Sequence, residues 1–367
     1  MTQGEIRYDH AALATAAAGL ATRIGFRFDL TQPNALWNAL SVRAKAVGAA
    51  SQGVYVTGHL VEEKEWTKLS EEIAVHETSF YRHAGQFRAL EGTVLPELVR
   101  ARRDEKRLIV WSAACSTGEE PYSLAIAVHR LNLGAEWRVR IVATDLSTRA
   151  LALAQSRLFD PFRLRNLPPG YLEHYFDKVG TRYRVRESIA SLVEFAPLNL
   201  VTGAYPVSVR QADLVLCENV LIYFREEVTR EVIGKLRDTL REGGYLFLGY
   251  AETLWGLSDG FTPVSLGDTY VYRRTPMAKA QNLPPPEPSP GPRPARVSAS
   301  LAPSRPVAPA RPAPAAPAPA PARSGPAPAG RSGPPQGLDR LLASEDLAGA
   351  LKAVEEWRAR EPKEPVL

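Results

Sequence analysis

The chain has 367 residues, 45% of them hydrophobic and 23% charged, with 45 Lys and Arg against 40 Asp and Glu. That length passes the roughly 250–300 residues at which single cores stop growing, so more than one folded unit plus a tail is expected. A net charge of +5 and a pI near 9.2 suit a mildly basic enzyme that meets an acidic partner, and lack the concentrated basicity of a dedicated nucleic-acid binder.

The Ala-rich start, Ala11 to Ala21, follows Asp9 and His10 rather than a basic region. No run approaches the roughly 18 apolar residues of a membrane-spanning helix, so no membrane insertion is expected. Residues 1–95 read as a small all-α domain, with apolar spacing through Leu36, Leu40, Val47 and Ile73. From Arg107 the texture changes to alternating strands and helices. Leu108–Trp111 and Val139–Ala143 are buried-strand runs, followed by helices over Pro121–Leu131 and Thr148–Arg157. Tyr171–Phe176, Tyr183–Val185 and Leu192–Phe195 predict a helix and short strands, an antiparallel β subdomain inserted at about 171–196. Asp213–Cys217 is a central strand, Glu226–Leu240 a helix, Tyr245–Leu248 a strand after a Gly-Gly turn, and Thr269–Tyr272 a closing edge. The alternation predicts an α/β, doubly wound, Rossmann-like sheet over residues 96–275.

Proline is abundant, 31 in all, and concentrates beyond that unit. Residues 276–336 are Pro, Ala, Ser and Arg with few large apolar side chains, the composition of a disordered tether. Residues 337–367 regain helical spacing through Leu338, Leu341, Leu342, Leu351 and Trp357. This segment resembles one tetratricopeptide-type helix pair, which cannot bury its own face. It is expected either to continue into a longer natural chain or to dock on a protein partner. The two cysteines, Cys115 and Cys217, have no metal-site or disulfide spacing; no metal is expected, and a reducing cytoplasm is the expected location.

Four segments carry candidate chemistry. The run Trp111–Ser123 passes from a strand through small residues to a helix opened near Pro121, and lacks the full glycine spacing of a dinucleotide site. Its acidic pair, Glu119 and Glu120, repels phosphate and favours a positive ligand such as a sulfonium nucleoside; the same pair also fits an ordinary helix start, where acids complement the dipole. Asp145 ends the second strand, where a carboxylate accepts ribose hydroxyls or caps the following helix. Glu218, Asn219 and Tyr223 follow the central strand, with Tyr223 suited to a cation–π contact or to the core. In His76–His83, Thr78 and Arg82 are four apart and would share one helical face; an interdomain salt bridge is the alternative for Arg82.

Together His-Glu-Thr-Ser-Phe-Tyr-Arg, Ser-Ala-Ala-Cys-Ser-Thr-Gly-Glu-Glu-Pro-Tyr-Ser, Ala-Thr-Asp-Leu-Ser, Glu-Asn-Val-Leu-Ile-Tyr-Phe and Gly-Gly-Tyr-Leu-Phe-Leu-Gly-Tyr-Ala-Glu-Thr resemble the chemotaxis-receptor glutamate O-methyltransferases, the CheR family, over about residues 6–274. The resemblance implies a helical N-terminal domain, a methyltransferase domain with a small β subdomain, and S-adenosylmethionine as cofactor, leaving S-adenosylhomocysteine. It places Thr78, Arg82, Glu119, Asp145, Asn199, Leu200 and Asn219 at cofactor-binding positions, with Asp145 on the ribose and Tyr223 near the transferred methyl. His76 stands where asparagine is usual, and Glu218 where arginine usually precedes Asn219; both remain cofactor-site candidates. Family members that dock on a receptor's C-terminal pentapeptide carry a glycine-containing loop in the β subdomain. Here Asp177–Arg182 is short for that role, which implies peptide-independent recognition of the receptor's cytoplasmic domain. Arg43 and Lys45 are the basic candidates for approaching an acidic methylation region; a solvated helix face is the alternative.

A receptor glutamate, with a pKa near 4.3, is ionised at neutral pH and needs no general base to attack a sulfonium methyl. The enzyme must supply placement and exclusion of water. Arg100, Arg102 and Arg103 are candidates to steer the substrate carboxylate, and Arg100 is assigned with Tyr223 to catalysis. Two rival readings stand beside this one: the same chemistry on another acceptor, and a non-catalytic cofactor-binding scaffold.

Overall fold

The computed structural model describes residues 8–74 and 76–275, so the Pro-rich tether and the terminal helical segment expected from the sequence lie outside the described residues. The chain opens with α1 (His10–Ile24), α2 (Asn34–Val47), α3 (Gln52–Gly58) and α4 (Glu63–Ile73). The Asp9 side chain caps α1 by accepting Ala12 N–H, Ser51 caps α3 at Val54, and Gly25 and Gly48 end α1 and α2 in left-handed conformation. Their apolar stripes meet in one cluster containing Leu13, Leu20, Leu36, Leu40, Tyr55, Trp66 and Leu69. Beneath it, Arg43 Nη2 lies 2.8 Å from Glu65 Oε2, with the two side chains only 11% and 9% exposed. Arg43 is thus committed to an internal ion pair rather than offered to a substrate, whereas Lys45 is exposed.

The segment 76–83 is not helical. Tyr81 takes a positive φ of 51°, and Arg163 Nη1 donates to the carbonyls of Thr78 at 2.7 Å and His76 at 3.1 Å. The helical face expected for Thr78 and Arg82 does not form, because those carbonyls are held by a side chain from elsewhere. Then come α5 (Ala84–Ala89), a π-helical turn (Leu90–Val94) and α6 (Leu95–Ala101). Phe80, Phe87, Leu90, Val94, Leu95 and Leu98 pack with the sheet, not with the N-terminal helices. Ile73, the last residue of α4, packs against the N-terminal cluster, as does Leu146 from farther along the chain.

The sheet follows as β1 (Arg107–Ala113), α7 (Glu119–His129), β2 (Arg138–Asp145), α8 (Thr148–Ser156), β3 (Leu158–Phe159), α9 (Tyr171–Tyr175), β4 (Phe176–Val179), β5 (Arg182–Val185), α10 (Glu187–Ala190), β6 (Val193–Pro197), β7 (Ala212–Cys217), α11 (Glu226–Thr239), β8 (Leu240–Leu248), β9 (Phe261–Leu266) and β10 (Thr269–Arg274). Seven strands align in the order β6-β2-β1-β7-β8-β10-β9. β6, β2, β1, β7 and β8 run parallel, and β10 runs antiparallel to both of its neighbours, β8 and β9. In β7 every residue is buried, and in β1 all but Arg107, as expected for strands covered on both faces.

The second sheet, β3-β5-β4, is the predicted β subdomain, with different bounds. It begins at Leu158, and Leu192–Phe195 is not part of it: that run pairs with β2 as the edge of the main sheet, Ile141 opposite Val193. Strand β9 has no counterpart among the predicted elements, because Pro263 inside it reads as a strand breaker and is tolerated only at an edge.

Candidate active site

The carboxyl ends of β6, β2, β1 and β7 point to one edge of the sheet, where ligands of open parallel sheets bind. A cleft there encloses about 1020 Å³, counting the space open to solvent. Ile24 and Phe26, from the end of α1 and the residues after it, form part of its wall. That wall is tied down by Arg27 N–H donating to the Tyr223 carbonyl at 2.7 Å and by the stacked rings of Phe26 and Tyr223, 5.4 Å between centroids.

The turn after β1 uses positive φ at Ala114, Ser116 and Gly118. At Gly118, φ is 99° and an added Cβ would stand 2.7 Å from Ala154 Cβ, so only glycine brings β1, α7 and α8 this close. The tight turn aims Ser116 N–H at Asp145 Oδ2, 2.7 Å away, while Ser147 N–H donates to Oδ1 at 2.8 Å. Asp145 is therefore fixed at the end of β2, and each oxygen keeps a lone pair for a ligand hydroxyl. Burial raises its pKa above the usual carboxylate value, against those two backbone donors.

The acidic pair at the start of α7 divides. Glu120 lines the cleft, accepts Ser112 Oγ–H at 2.6 Å, and is pushed up to about 7 by burial. Glu119 points away: it accepts Thr117 Oγ1–H at 2.7 Å and lies 3.4 Å from Arg163 Nε. Since Arg163 also holds the carbonyls of His76 and Thr78, Glu119 supports the cleft wall through Arg163, and its neighbour Glu120 is the carboxyl that meets the cavity.

His76, Thr78 and Arg82 line the cleft. His76 Nδ1 is 3.3 Å from Ser116 Oγ, and its Nε2 is buried without a hydrogen-bond partner. Burial lowers the His76 pKa. Arg82 Nη1 donates to the Glu77 carbonyl at 2.8 Å. Asn199 spends its amide on Arg23 O at 2.8 Å and Val201 N at 2.9 Å, so what it offers the cleft with Leu198 and Leu200 is mainly a shaped wall.

After β7, Glu218, Asn219 and Tyr223 all reach the cavity. Asn219 adopts φ 58° and faces His83, whose Nε2 is 3.2 Å from Asn219 Oδ1. The turn is held by Glu252, whose carboxylate accepts the N–H groups of Asn219, Val220, Leu221 and Gly249 at 2.7–2.9 Å. The motif around Gly249–Thr253 marked Glu252 in the sequence without revealing this task; His83 and Arg163 carried no sequence signal of their own.

Arg100 is exposed on α6, ahead of β1, and is absent from the cleft. Seven residues of β1 at about 3.3 Å each separate that end of the sheet from the site. Arg102 sits at the same far end, its Nε 3.0 Å from Asp213 Oδ1 at the base of β7. Among the described residues, Arg82 is the arginine that lines the cleft.

The donor set fits a cationic nucleoside. Carboxyls from β2, α7 and β7, an aromatic hydroxyl, apolar walls and two unpartnered buried polar atoms, His76 Nε2 and Glu218 Oε1, suit a ribose, a purine and a positively charged arm. The family model described as "CheR methyltransferase, SAM binding domain" matches residues 76–269, a span that contains the four strand ends and the Arg82 segment. "Chemotaxis protein methyltransferase 1" of Pseudomonas aeruginosa is 39% identical over 234 residues, covering 60% of this chain and 84% of that protein. "Chemotaxis protein methyltransferase Cher2" of Pseudomonas putida is 36% identical over 235 residues, with 60% and 84% covered. "Chemotaxis protein methyltransferase" of Escherichia coli is 34% identical over 236 residues, with 62% and 79% covered. The chain belongs to the CheR methyltransferase family and is a methyltransferase that uses S-adenosylmethionine.

Proposed function

We propose that the chain esterifies glutamate side chains in the cytoplasmic domain of a chemoreceptor. The observation that carries this reading is the placement of Arg82 and Tyr223 in the same cleft as the acidic cofactor shelf. S-adenosylmethionine, when bound, supplies a methyl group on a positively charged sulfur. Asp145 would hold its ribose, Leu198 and Leu200 would flank its base, and Asn219 and Tyr223 would border its reacting end. Arg82 draws the substrate carboxylate toward that end. The acceptor arrives ionised, so no residue need remove a proton, and what the protein contributes is alignment and a water-poor enclosure.

Recognition of the receptor is proposed to be independent of a C-terminal pentapeptide. In the β4–β5 hairpin Val179 pairs with Arg182, leaving a two-residue turn of Gly180 and Thr181, which is little surface for a peptide to dock against. Tight binding of such a peptide would contradict this. The terminal segment 337–367 is proposed to engage a protein partner, and the whole chain to work in the cytoplasm, where receptor cytoplasmic domains are reached.

The test is transfer of labelled methyl to a receptor cytoplasmic domain. Label released as methanol in mild base, and lost when the acceptor glutamates are replaced by alanine, supports the reading. Base-stable label would assign a different acceptor group, and cofactor binding without any transfer would favour the scaffold.

A further inference from the structure

One carboxyl oxygen in the cleft has no hydrogen-bond partner among the described residues. Glu218 follows the last residue of β7 and lines the cavity, with its side chain only 6% exposed. Its Oε2 lies 3.5 Å from His83 Nε2. Its Oε1 is buried and makes no hydrogen bond. Leaving a buried polar atom unpaired costs about 1–3 kcal/mol, and more when the group is charged, so a donor that a ligand of this cleft brought to Glu218 would relieve that cost.

The charged groups around Glu218 come from three other elements: Glu120 on α7, Glu252 beyond β8, and Arg82 and His83 ahead of α5. Burial first, then the nearby Glu120 and Glu252, raise its pKa well above the usual value. The Arg82 guanidinium offsets this only in part. Burial lowers the basicity of His83, and Arg82 makes no hydrogen bond to Oε1. A cation delivered by the ligand would favour the ionised carboxylate.

The sheet order says which part of the ligand that is. β1 lies between β2 and β7, so the end of β7 is about 10 Å from the end of β2. With the ribose held at Asp145, that offset matches the reach from the ribose hydroxyls to the α-amino group of an S-adenosyl nucleoside.

We propose that Glu218 binds the α-ammonium group of the cofactor's amino-acid arm through Oε1, with His83 holding Oε2. The inference rests on the reading of this cleft as the cofactor site.

Calorimetry on the full chain tests it with two ligands, S-adenosylhomocysteine and its analogue lacking the α-amino group. The wild-type protein is expected to favour the amino-bearing ligand about tenfold or more, as befits a charged hydrogen bond. Glu218→Gln is expected to lose about tenfold for that ligand and less than twofold for the analogue. Equal losses for both ligands, or no loss for either, would overturn the proposal. So would a wild-type protein that binds both ligands equally well, a result that needs no variant. A wild-type protein that binds neither ligand would overturn the cofactor-site reading itself and this proposal with it.

Discussion

Glu252 Oε2 accepts the backbone N–H of Asn219 at 2.8 Å, and the same carboxylate gathers the next two amides of the turn and that of Gly249. This one side chain keeps Asn219 in its left-handed conformation at the reacting end of the cleft. Hydrogen bonds to a charged acceptor contribute about 1.5–3 kcal/mol each and do not add fully. Glu252→Ala is therefore expected to lower stability by about 2–4 kcal/mol and to weaken S-adenosylhomocysteine binding at least tenfold, read by denaturant melts and calorimetry.

Arg82 and Arg100 separate the site from its surroundings. Arg82→Ala is expected to lower kcat/KM for the receptor domain about 100-fold, the loss of roughly 2.7 kcal/mol of charge stabilisation. Arg100→Ala, on an exposed helix face at the opposite end of β1, is expected to stay within twofold. Steady-state methyl transfer by the two variants checks the pair.

The buried carboxyls make the ligand-free protein sensitive to alkali. Glu120 ionises near 4.5 in the unfolded chain and near 7 in the fold, because burial outweighs the hydrogen bond from Ser112. Between those values the folded state keeps a proton that the unfolded state has released, so stability falls as pH rises through that window. The Tm of the ligand-free protein is expected to drop by a few degrees between pH 5 and pH 8, and Glu120→Gln to flatten the slope. Cofactor affinity runs the other way, rising with pH as the carboxyls ionise. Thermal melts and calorimetry across that range measure both.

Gly118 holds φ 99° at the start of α7, with Ala154 immediately behind it. Gly118→Ala adds both left-handed strain and a Cβ clash, expected to cost about 2–3 kcal/mol together. Because the displaced turn carries Ser116 away from Asp145, cofactor affinity should fall with stability. Gly170→Ala, also at positive φ but with open space around it, isolates the strain alone and is expected to cost less. Urea melts of the two variants decide between these contributions.

Strand runs such as Leu108–Trp111 and Asp213–Cys217 were legible because strands buried on both faces carry continuous apolar sequence. The site residues clustered at strand ends for the same reason, and Asp145, Asn219 and Tyr223 stand in the cleft together with His76, Thr78, Arg82 and Glu218. What the sequence hid depends on side-chain direction or on partners far along the chain. Nothing in Glu119-Glu120 tells which carboxyl faces the cavity; Arg163, 44 residues on, decides it by attracting Glu119. Leu192–Phe195 reads alike in either sheet until β2 pairs with it, and Pro263 concealed β9. The 76–83 segment looked helical because Arg163 capturing its carbonyls is a contact of long range.

This cleft is proposed to methylate a carboxylate. This is tested most directly by base-labile methyl transfer from labelled S-adenosylmethionine to a chemoreceptor cytoplasmic domain, comparing the wild-type chain with Asp145→Ala. Methanol-releasing label is expected with the wild-type protein and a loss of at least 100-fold in the variant, which keeps its fold by circular dichroism. Label that survives base, or equal transfer by the two proteins, would contradict it.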